Sequence, residues 1–183
     1  MNDLSHLMND EKHYITMDAY CKYKFNKKTY KISLNGNFSC PNRDGTLSYD
    51  GCIFCSSKGS GDFAGDKELP LDIQFNSIKE MMMKKWPDGY FIAYFQANTN
   101  TYGTIQKLKD KYSKIITENG PIDDNIKVLS IATRPDCINK EIVEYLKELN
   151  NKIEVWVELG FQTSNETTAL LINRGYKNHK LIN

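Results

Sequence analysis

The chain is 183 residues long, a length that fits one domain. Its hydrophobic share of 40% is enough for a buried core and argues against disorder over most of the chain. The net charge of +1 neither favours nor excludes a nucleic-acid partner. No stretch approaches the roughly 20 apolar residues of a membrane helix, and residues 1–14 contain no apolar run, so we expect a cytoplasmic protein without a signal peptide.

Residues 1–28 are predicted to form an N-terminal arm, and residues 29–183 to form the core domain. Residues 1–20 are polar and lack sustained periodicity, which allows about one helical turn. Residues 22–31 interleave lysines with aromatic rings. This alternation favours an edge or lead-in strand whose rings help to close the core. The alternative is a strip that lies along RNA, with lysines on phosphates and rings stacked on bases.

Strands and helices are predicted to alternate from residue 29 onward. Strands are predicted at 29–34, 90–95, 126–132 and 153–160, of which 90–95 is a nearly continuous apolar run, the mark of a strand covered on both faces. Helical spacing of apolar residues, with stop and cap residues, predicts helices at 71–86, 104–117, 139–149 and 165–173. Four βα units in this order predict an α/β fold in which a parallel sheet carries its helices on the outside.

The last predicted strand alternates cleanly, with Val155 and Val157 on one side and Trp156 and Glu158 on the other. In a parallel barrel the apolar side meets the helices. Glu158 is therefore predicted to point inward near the carboxyl end of its strand, where functional groups collect in such folds. The alternative is a carboxylate that faces solvent.

Three of the five cysteines, Cys40, Cys52 and Cys55, lie in a loop rich in glycine, proline, asparagine and aspartate. Such a loop forms turns rather than a helix or strand. An odd number of cysteines does not suit a disulfide framework, whereas three thiolates suit a soft metal or an iron–sulfur cluster with one open iron. The alternative is a zinc-binding interaction module, which needs four ligands and would take Cys21 or Cys137 as the fourth.

The stretch Cys52-Ile53-Phe54-Cys55 resembles the motif of radical S-adenosylmethionine (SAM) enzymes, in which the aromatic ring packs beside the bound cofactor. The long gap from Cys40 to Cys52 is similar to one branch of them, the bacterial YtqA/MnmL-type and YhcC-type proteins, which are related to the Elongator catalytic subunit. Later stretches that also resemble this branch are 94–96, 99–102, 133–137, 158–163 and 173–175. The resemblance extends from about residue 31 to the end of the sequence.

This resemblance implies a partial (β/α) barrel and two cofactors, a [4Fe–4S] cluster and SAM. It assigns Cys40, Cys52 and Cys55 to one iron each, with SAM on the fourth iron. The residues that it places near SAM are Phe54, Gln96, Thr133, Arg134, Glu158 and Gln162. For the last five, ordinary hydrogen bonding within loops is the alternative.

The resemblance also implies a reaction, the reductive cleavage of SAM to a 5′-deoxyadenosyl radical, fed by a reductant such as flavodoxin or ferredoxin. The kinship with Elongator implies tRNA as a partner and a wobble uridine as the site of modification. Radical SAM proteins resemble a partial barrel of six βα units, so the chain is expected to be C-terminally truncated or covered at its open edge. An inactive fragment that binds a cluster is a further alternative.

Overall fold

The computed structural model describes residues 4–8 and 13–182. The strands, numbered in chain order, are β1 Thr29–Leu34, β2 Tyr90–Phe95, β3 Ile116–Thr117, β4 Gly120–Pro121, β5 Ile126–Thr133 and β6 Glu154–Leu159. The helices are α1 Met17–Phe25, α2 Leu71–Lys85, α3 Ile105–Tyr112, α4 Lys140–Asn150, α5 Glu166–Leu171 and α6 His179–Ile182. Short 3-10 turns lie at Ser5–Leu7 and Pro135–Cys137.

Four strands form one parallel sheet in the order β1-β2-β5-β6. A helix follows each of these strands along the chain, because parallel neighbours can be joined only by a crossover. The predicted α/β fold with four βα units is confirmed, and the sheet is an open segment of a barrel rather than a closed one. Among the described residues, no helix has the length and apolarity to cross a membrane.

The helix-covered face of the sheet holds the main core. Ile32, Leu34, Phe95, Leu129 and Ile131 are fully buried there. The helices cover them with buried side chains from α2, α3 and α4, which are Phe75, Leu108, Tyr112, Tyr145, Leu146 and Leu149. Burying each large apolar side chain stabilises the fold by about 1.5–3 kcal/mol, so this face fixes the strands in position.

The opposite, concave face of the sheet is covered by α1 near the amino ends of the strands. Cys21 of this helix is buried against Ile92 and Val128, with Phe25 and Trp156 packed around them. The hydroxyl oxygen of Thr16 accepts a hydrogen bond from the Ala19 amide at the start of α1, and Asn26 ends it in the left-handed conformation. The helix therefore belongs to the folded body and is not a free arm.

One prediction for the N-terminal region is wrong. Residues 22–25 belong to α1 and not to a lead-in strand, and only residues 29–31 of that stretch lie in β1. Capping at both ends and packing against the concave face override the alternation of lysines and rings. Residues 1–3 and 9–12 of the predicted arm lie outside the described residues. The domain boundary at residue 28 stays a prediction.

The sheet is strongly curved. The Lys31 ammonium on β1 contacts the Glu158 carboxylate on β6 at 2.7 Å, although two strands lie between them. In a flat sheet these two strands would be about 14 Å apart. The concave face is therefore narrow enough for side chains of the first and last strands to meet.

The far edge of the sheet is open. On β6 the outer side chains Val157 and Leu159 stay 39% and 42% exposed, and Leu170 and Leu171 of α5 are also exposed. We expected helices to bury the apolar side of this strand. They do so only in part, because α5 has just 6 residues. Val155, nearer the start of the strand, does pack on the core.

Candidate functional site

A cavity of about 310 Å³ opens at the carboxyl ends of the parallel strands. The cysteine loop forms one wall, and the segments that follow β2, β5 and β6 form the others. All nine residues predicted from the sequence line it, namely Cys40, Cys52, Phe54, Cys55, Gln96, Thr133, Arg134, Glu158 and Gln162. The structure brings them together in one place, and their individual roles toward cofactors stay predictions.

Main-chain turns give the cysteine loop its shape. The Arg43 amide donates to the Cys40 carbonyl at 2.8 Å, and the Cys55 amide donates to the Cys52 carbonyl at 3.0 Å. Gly51 has a φ of +73°, and a Cβ added there would lie 3.0 Å from Nε of Arg43. The turn before Cys52 therefore requires glycine, both for its left-handed backbone and for the arginine that passes beside it.

Cys52 and Cys55 affect each other's ionisation. The neighbouring Cys55 thiol, helped by the side-chain amide of Asn42, lowers the pKa of Cys52 to about 6. The same neighbour, together with burial, raises the pKa of Cys55. The lowered pKa favours the thiolate form of Cys52, which is the form that binds metals.

Arg43 holds the second half of the loop. Its guanidinium donates to the main-chain carbonyls of Cys55 at 3.2 Å and Ser57 at 3.4 Å, and also to that of Ser56. No role was predicted for this residue from the sequence. One signal that could have found it is composition, since the three arginines of the chain, Arg43, Arg134 and Arg174, all line the cavity.

Thr133 and Arg134 are engaged with other protein groups. The Thr133 and Thr101 hydroxyl oxygens are 2.5 Å apart. Arg134 donates from Nε and Nη2 to the Asp136 carboxylate at 2.9 and 2.8 Å, and from Nη1 to the Arg174 carbonyl at 2.9 Å. Burial alone would lower the pKa of Arg134, but Asp136 raises it, so the charge is retained. These bonds favour a role in positioning the cavity wall.

Strained backbone surrounds the cavity. Ser60, Asn98 and Gln162 line it with φ values of 60°, 62° and 70°, in the left-handed region. Such a conformation costs about 1 kcal/mol or more for a residue with a side chain, and it persists only where the surroundings enforce it. One such contact is the Gln96 side-chain amide, which donates to the Ser60 carbonyl at 3.0 Å.

Glu158 lies on the concave side, as its place in the strand alternation predicts. Its carboxylate accepts from Lys31 at 2.7 Å and from the Ser130 hydroxyl at 2.8 Å. Burial is the largest single influence and opposes ionisation, but the bonds from Lys31 and Ser130 and the charge of Lys31 together lower the pKa of Glu158. Burial, reinforced by this carboxylate, raises the pKa of Tyr94 to about 12. The carboxylate is therefore charged and the phenol is neutral at physiological pH.

Arg174 is a buried cation that the sequence interpretation left without a role, although it quoted Asn173-Arg174-Gly175. Its guanidinium donates to the carbonyls of Phe161 at 3.0 Å, Thr163 at 2.8 Å and Tyr176 at 2.8 Å, and lies 4.3 Å from the centre of the Tyr176 ring. The ion pair with Glu166 is longer, at 3.6 Å. Arg174 thus fixes the segment after β6 as a wall of the cavity.

The remaining cysteines do not join this wall. Cys21 is buried on the concave face against Ile92 and Val128. Cys137 lines a neighbouring pocket formed with Pro41 and Thr101, and burial raises its pKa to about 12. Within residues 4–8 and 13–182, no group of three or more histidine, cysteine, aspartate or glutamate side chains is placed to hold a single metal ion. The two cysteines that the zinc alternative would need as a fourth ligand, Cys21 and Cys137, both lie outside the cavity of the three-cysteine loop.

The fold and the cavity together define a class of protein: an open parallel βα barrel with a three-cysteine loop at the carboxyl ends of its strands. Residues 40–183 match the radical SAM superfamily, and the chain belongs to this superfamily. The resemblance drawn from the cysteine motif is thereby confirmed.

Three relatives illustrate the similarity. The chain is 49% identical over 168 residues to the uncharacterized protein YtqA of Bacillus subtilis strain 168, covering 92% of this chain and 51% of YtqA. It is 35% identical over 154 residues to protein YhcC of Escherichia coli K12, covering 84% and 47%. It is 34% identical over 161 residues to the uncharacterized protein MJ0486 of Methanocaldococcus jannaschii, covering 86% and 47%. The chain spans about half the length of these curated relatives.

The donor set fits an iron–sulfur cluster. The side chains of Cys40, Cys52 and Cys55 line one cavity. In a cluster each cysteine binds a separate iron, so the three sulfurs need not converge on one point as they would around a single ion. Thiolates are also the ligands that iron–sulfur clusters take most often.

Proposed function

We propose that this chain forms the core of a radical SAM enzyme that cleaves SAM reductively at a [4Fe–4S] cluster. The observation that carries the proposal is the shared cavity of the three cysteines and the polar residues at the strand ends. In parallel βα barrels this end of the sheet is where catalysis occurs, because the loops after the strands converge there.

We assign the cavity residues different roles. Cys40, Cys52 and Cys55 would each hold one iron, and the half-exposed ring of Phe54 would pack beside the cofactor. When bound, a cluster with one iron free of cysteine supplies the electron that splits SAM into methionine and a 5′-deoxyadenosyl radical.

The strand-end side chains would hold SAM. Glu158 offers a charged carboxylate, which suits a hydroxyl or ammonium group, and Gln96 and Gln162 offer amides at the same wall. Thr133 and Arg134 would act by holding the wall in place, since both are bonded to neighbouring residues.

The substrate side of the proposal rests on the resemblance to the YtqA/MnmL-type branch. We propose modification of a tRNA wobble uridine, a reductant such as flavodoxin or ferredoxin as electron donor, and a cytoplasmic location. The chain spans about half of the relatives that it matches, so these statements concern the complete enzyme.

Anaerobic reconstitution with iron and sulfide tests the proposal. We expect about four irons per chain and a broad visible charge-transfer band, both lost in Cys40→Ala and both kept in Cys21→Ala, a control cysteine outside the cavity. Tight zinc binding without the band would contradict the proposal. Addition of SAM and dithionite should then release 5′-deoxyadenosine, detected by liquid chromatography. A loaded protein that releases none would instead support the inactive fragment.

A further inference from the structure

A buried asparagine stands next to the predicted cluster ligands. Asn42 is 1% exposed, and its side-chain amide nitrogen lies 3.4 Å from Sγ of Cys52 while also donating to the Asn173 carbonyl. A carbonyl oxygen only accepts, so the nitrogen of the amide and not its oxygen must face Asn173. The same orientation directs an N–H group at the sulfur.

The oxygen of the same amide accepts no hydrogen bond from the described residues. Oδ1 of Asn42 is buried and has no hydrogen-bond partner among the described residues. Burying an unpaired oxygen is unfavourable, and an apolar side chain of similar size would avoid that cost. The hydrogen bonds of this amide therefore come from its N–H groups, which face Cys52 and Asn173.

Asn173 completes the arrangement from the other side. Its side-chain amide donates to the Gly51 carbonyl at 2.7 Å, directly before Cys52. The Ile172 carbonyl accepts from the amide of Ile53 at 3.1 Å, directly after Cys52. The main chain on both sides of Cys52 is thus bound to a segment that follows β6.

Gly175 makes room for this contact. A Cβ added at Gly175 would lie 2.5 Å from Oδ1 of Asn42, and the glycine has a φ of +82°. Asn173 is also left-handed, with a φ of 52°. The tight turn at 173–175 therefore packs closely against Asn42, and Arg174 fixes it from within.

We propose that Asn42 and Asn173 form a clasp that positions Cys52 for the cluster, and that the Asn42 amide donates a hydrogen bond to the Cys52 sulfur in the loaded protein. The second half of this statement rests on the proposed function and deepens it. A hydrogen bond to a ligand sulfur stabilises the reduced cluster, which carries more negative charge, and so raises its reduction potential. Asn42 and Asn173 are positioning residues for Cys52.

The clasp itself is tested in the iron-free protein by hydrogen–deuterium exchange of the peptide that contains residues 51–53. Asn173→Gly removes the side-chain donor and tolerates the left-handed backbone, and Asn42→Leu removes the other donor at similar size. We expect both variants to exchange faster in this peptide than the wild type and than Asn119→Ala, an exposed hairpin control. Equal exchange in all four proteins would overturn the clasp.

The bond to sulfur is tested by a redox titration of the reconstituted cluster, followed by electron paramagnetic resonance. We expect Asn42→Leu to have a lower midpoint potential than the wild type, with Asn119→Ala unchanged and Asn173→Gly closer to the wild type because it keeps the Asn42 donor. If Asn42→Leu takes up too little iron, Asn42→Ala is titrated instead, since alanine is smaller and also has no side-chain donor.

The two experiments separate the two ideas. Equal potentials in fully loaded wild type and Asn42 variants would overturn the sulfur bond while leaving the proposed function intact. A wild type that takes up no iron would overturn both the proposed function and the sulfur bond. The exchange experiment would then still decide whether the clasp holds the loop.

Discussion

Arg43 shows how a single side chain shapes the cysteine loop. Its planar guanidinium donates to the carbonyls of Cys55, Ser56 and Ser57. The compact ammonium group of a lysine cannot reproduce this set of bonds. The three bonds tie the last cysteine to the turn that begins at Cys40. A change from arginine to lysine is therefore a substantial one at this site.

Arg43→Lys is expected to weaken retention of the cluster, because lysine keeps the charge but reaches fewer of these carbonyls. The measurement is the rate of iron loss to a chelator from the anaerobically loaded protein. We expect this rate to rise about fivefold for each lost bond, since one bond contributes about 1 kcal/mol. Lys67→Met, an exposed surface change, serves as the control. An unchanged rate in Arg43→Lys would show that charge alone is enough.

Tyr112 is a residue of the core with one polar atom to satisfy. The side chain is fully buried, and its hydroxyl donates to the Asn100 carbonyl at 2.5 Å. Burial raises the pKa of this phenol well above its ordinary value, so the proton stays in the bond.

Tyr112→Phe removes this bond and leaves a buried carbonyl short of a partner. We expect the free energy of unfolding to fall by about 1.5 kcal/mol, measured by urea denaturation. Tyr14→Phe, at an exposed position, should leave the stability unchanged. A Tyr112→Phe protein as stable as the wild type would mean that the hydroxyl bond contributes nothing net.

The bounds of a strand or helix are predicted correctly from the sequence where residues close together in the chain determine them. The sequence predicts β1 and β2 at their observed bounds. For β2 the signal is strong, because a strand covered on both faces is a nearly continuous apolar run. It misplaces the end of α3, which stops at Tyr112, because the hairpin at 116–121 continues the same apolar spacing. It misses α1, since that helix depends on packing against the concave face.

Capping is a local signal that the sequence does carry for α4. Asn139 is predicted as the cap of α4, and its side-chain oxygen accepts from the Ile142 amide at 2.9 Å. Thr16, Thr104 and Asn165 cap α1, α3 and α5 in the same way. Each cap satisfies an amide that the helix itself leaves unpaired.

Asn139→Ala should therefore destabilise the protein by about 1 kcal/mol, through loss of the cap on the helix that covers β5 and β6. The check is the midpoint of urea unfolding followed by circular dichroism. Asn139→Asp keeps an accepting oxygen and should retain most of the stability. Equal losses in the two variants would assign the effect to packing rather than to the cap.

The whole molecule determines which residues share the cavity. Parallel strands bring their carboxyl ends to one edge, so Gln96, Thr133 and Glu158 could be expected there from the order of elements alone. The contacts that lock the cavity could not, because they join segments distant in sequence. Asn42 meets Asn173, and Lys31 meets Glu158, across separations of 131 and 127 residues. Neither pair has a local pattern that predicts its partner.

The pair of Lys31 and Glu158 makes the stability of the curved sheet depend on pH. Lys31 lowers the pKa of Glu158 from its ordinary value of 4.5, although burial acts in the other direction. A carboxyl group whose pKa is lowered by folding stabilises the folded state above its unfolded pKa, and that contribution is lost as the pH falls through its folded pKa. The stabilisation is therefore present at neutral pH and disappears in acid.

Lys31→Met is expected to destabilise the protein by about 1 kcal/mol at neutral pH, a small value because both side chains are about one-third exposed. The difference from the wild type should shrink in acid, once the pH has fallen through the lowered pKa of Glu158 and the group is protonated in both proteins. Lys147→Met, which breaks an exposed pair on α4 with Glu144, should change the stability little at either pH.

Urea unfolding at several pH values measures these differences in stability. Nuclear magnetic resonance of the Glu158 carboxyl should show its pKa rising in Lys31→Met. The Lys31 ammonium also lies 4.1 Å from the centre of the Tyr94 ring. If Lys31→Met lost the same stability at every pH, the effect of Lys31 would come from packing against this ring and not from its charge.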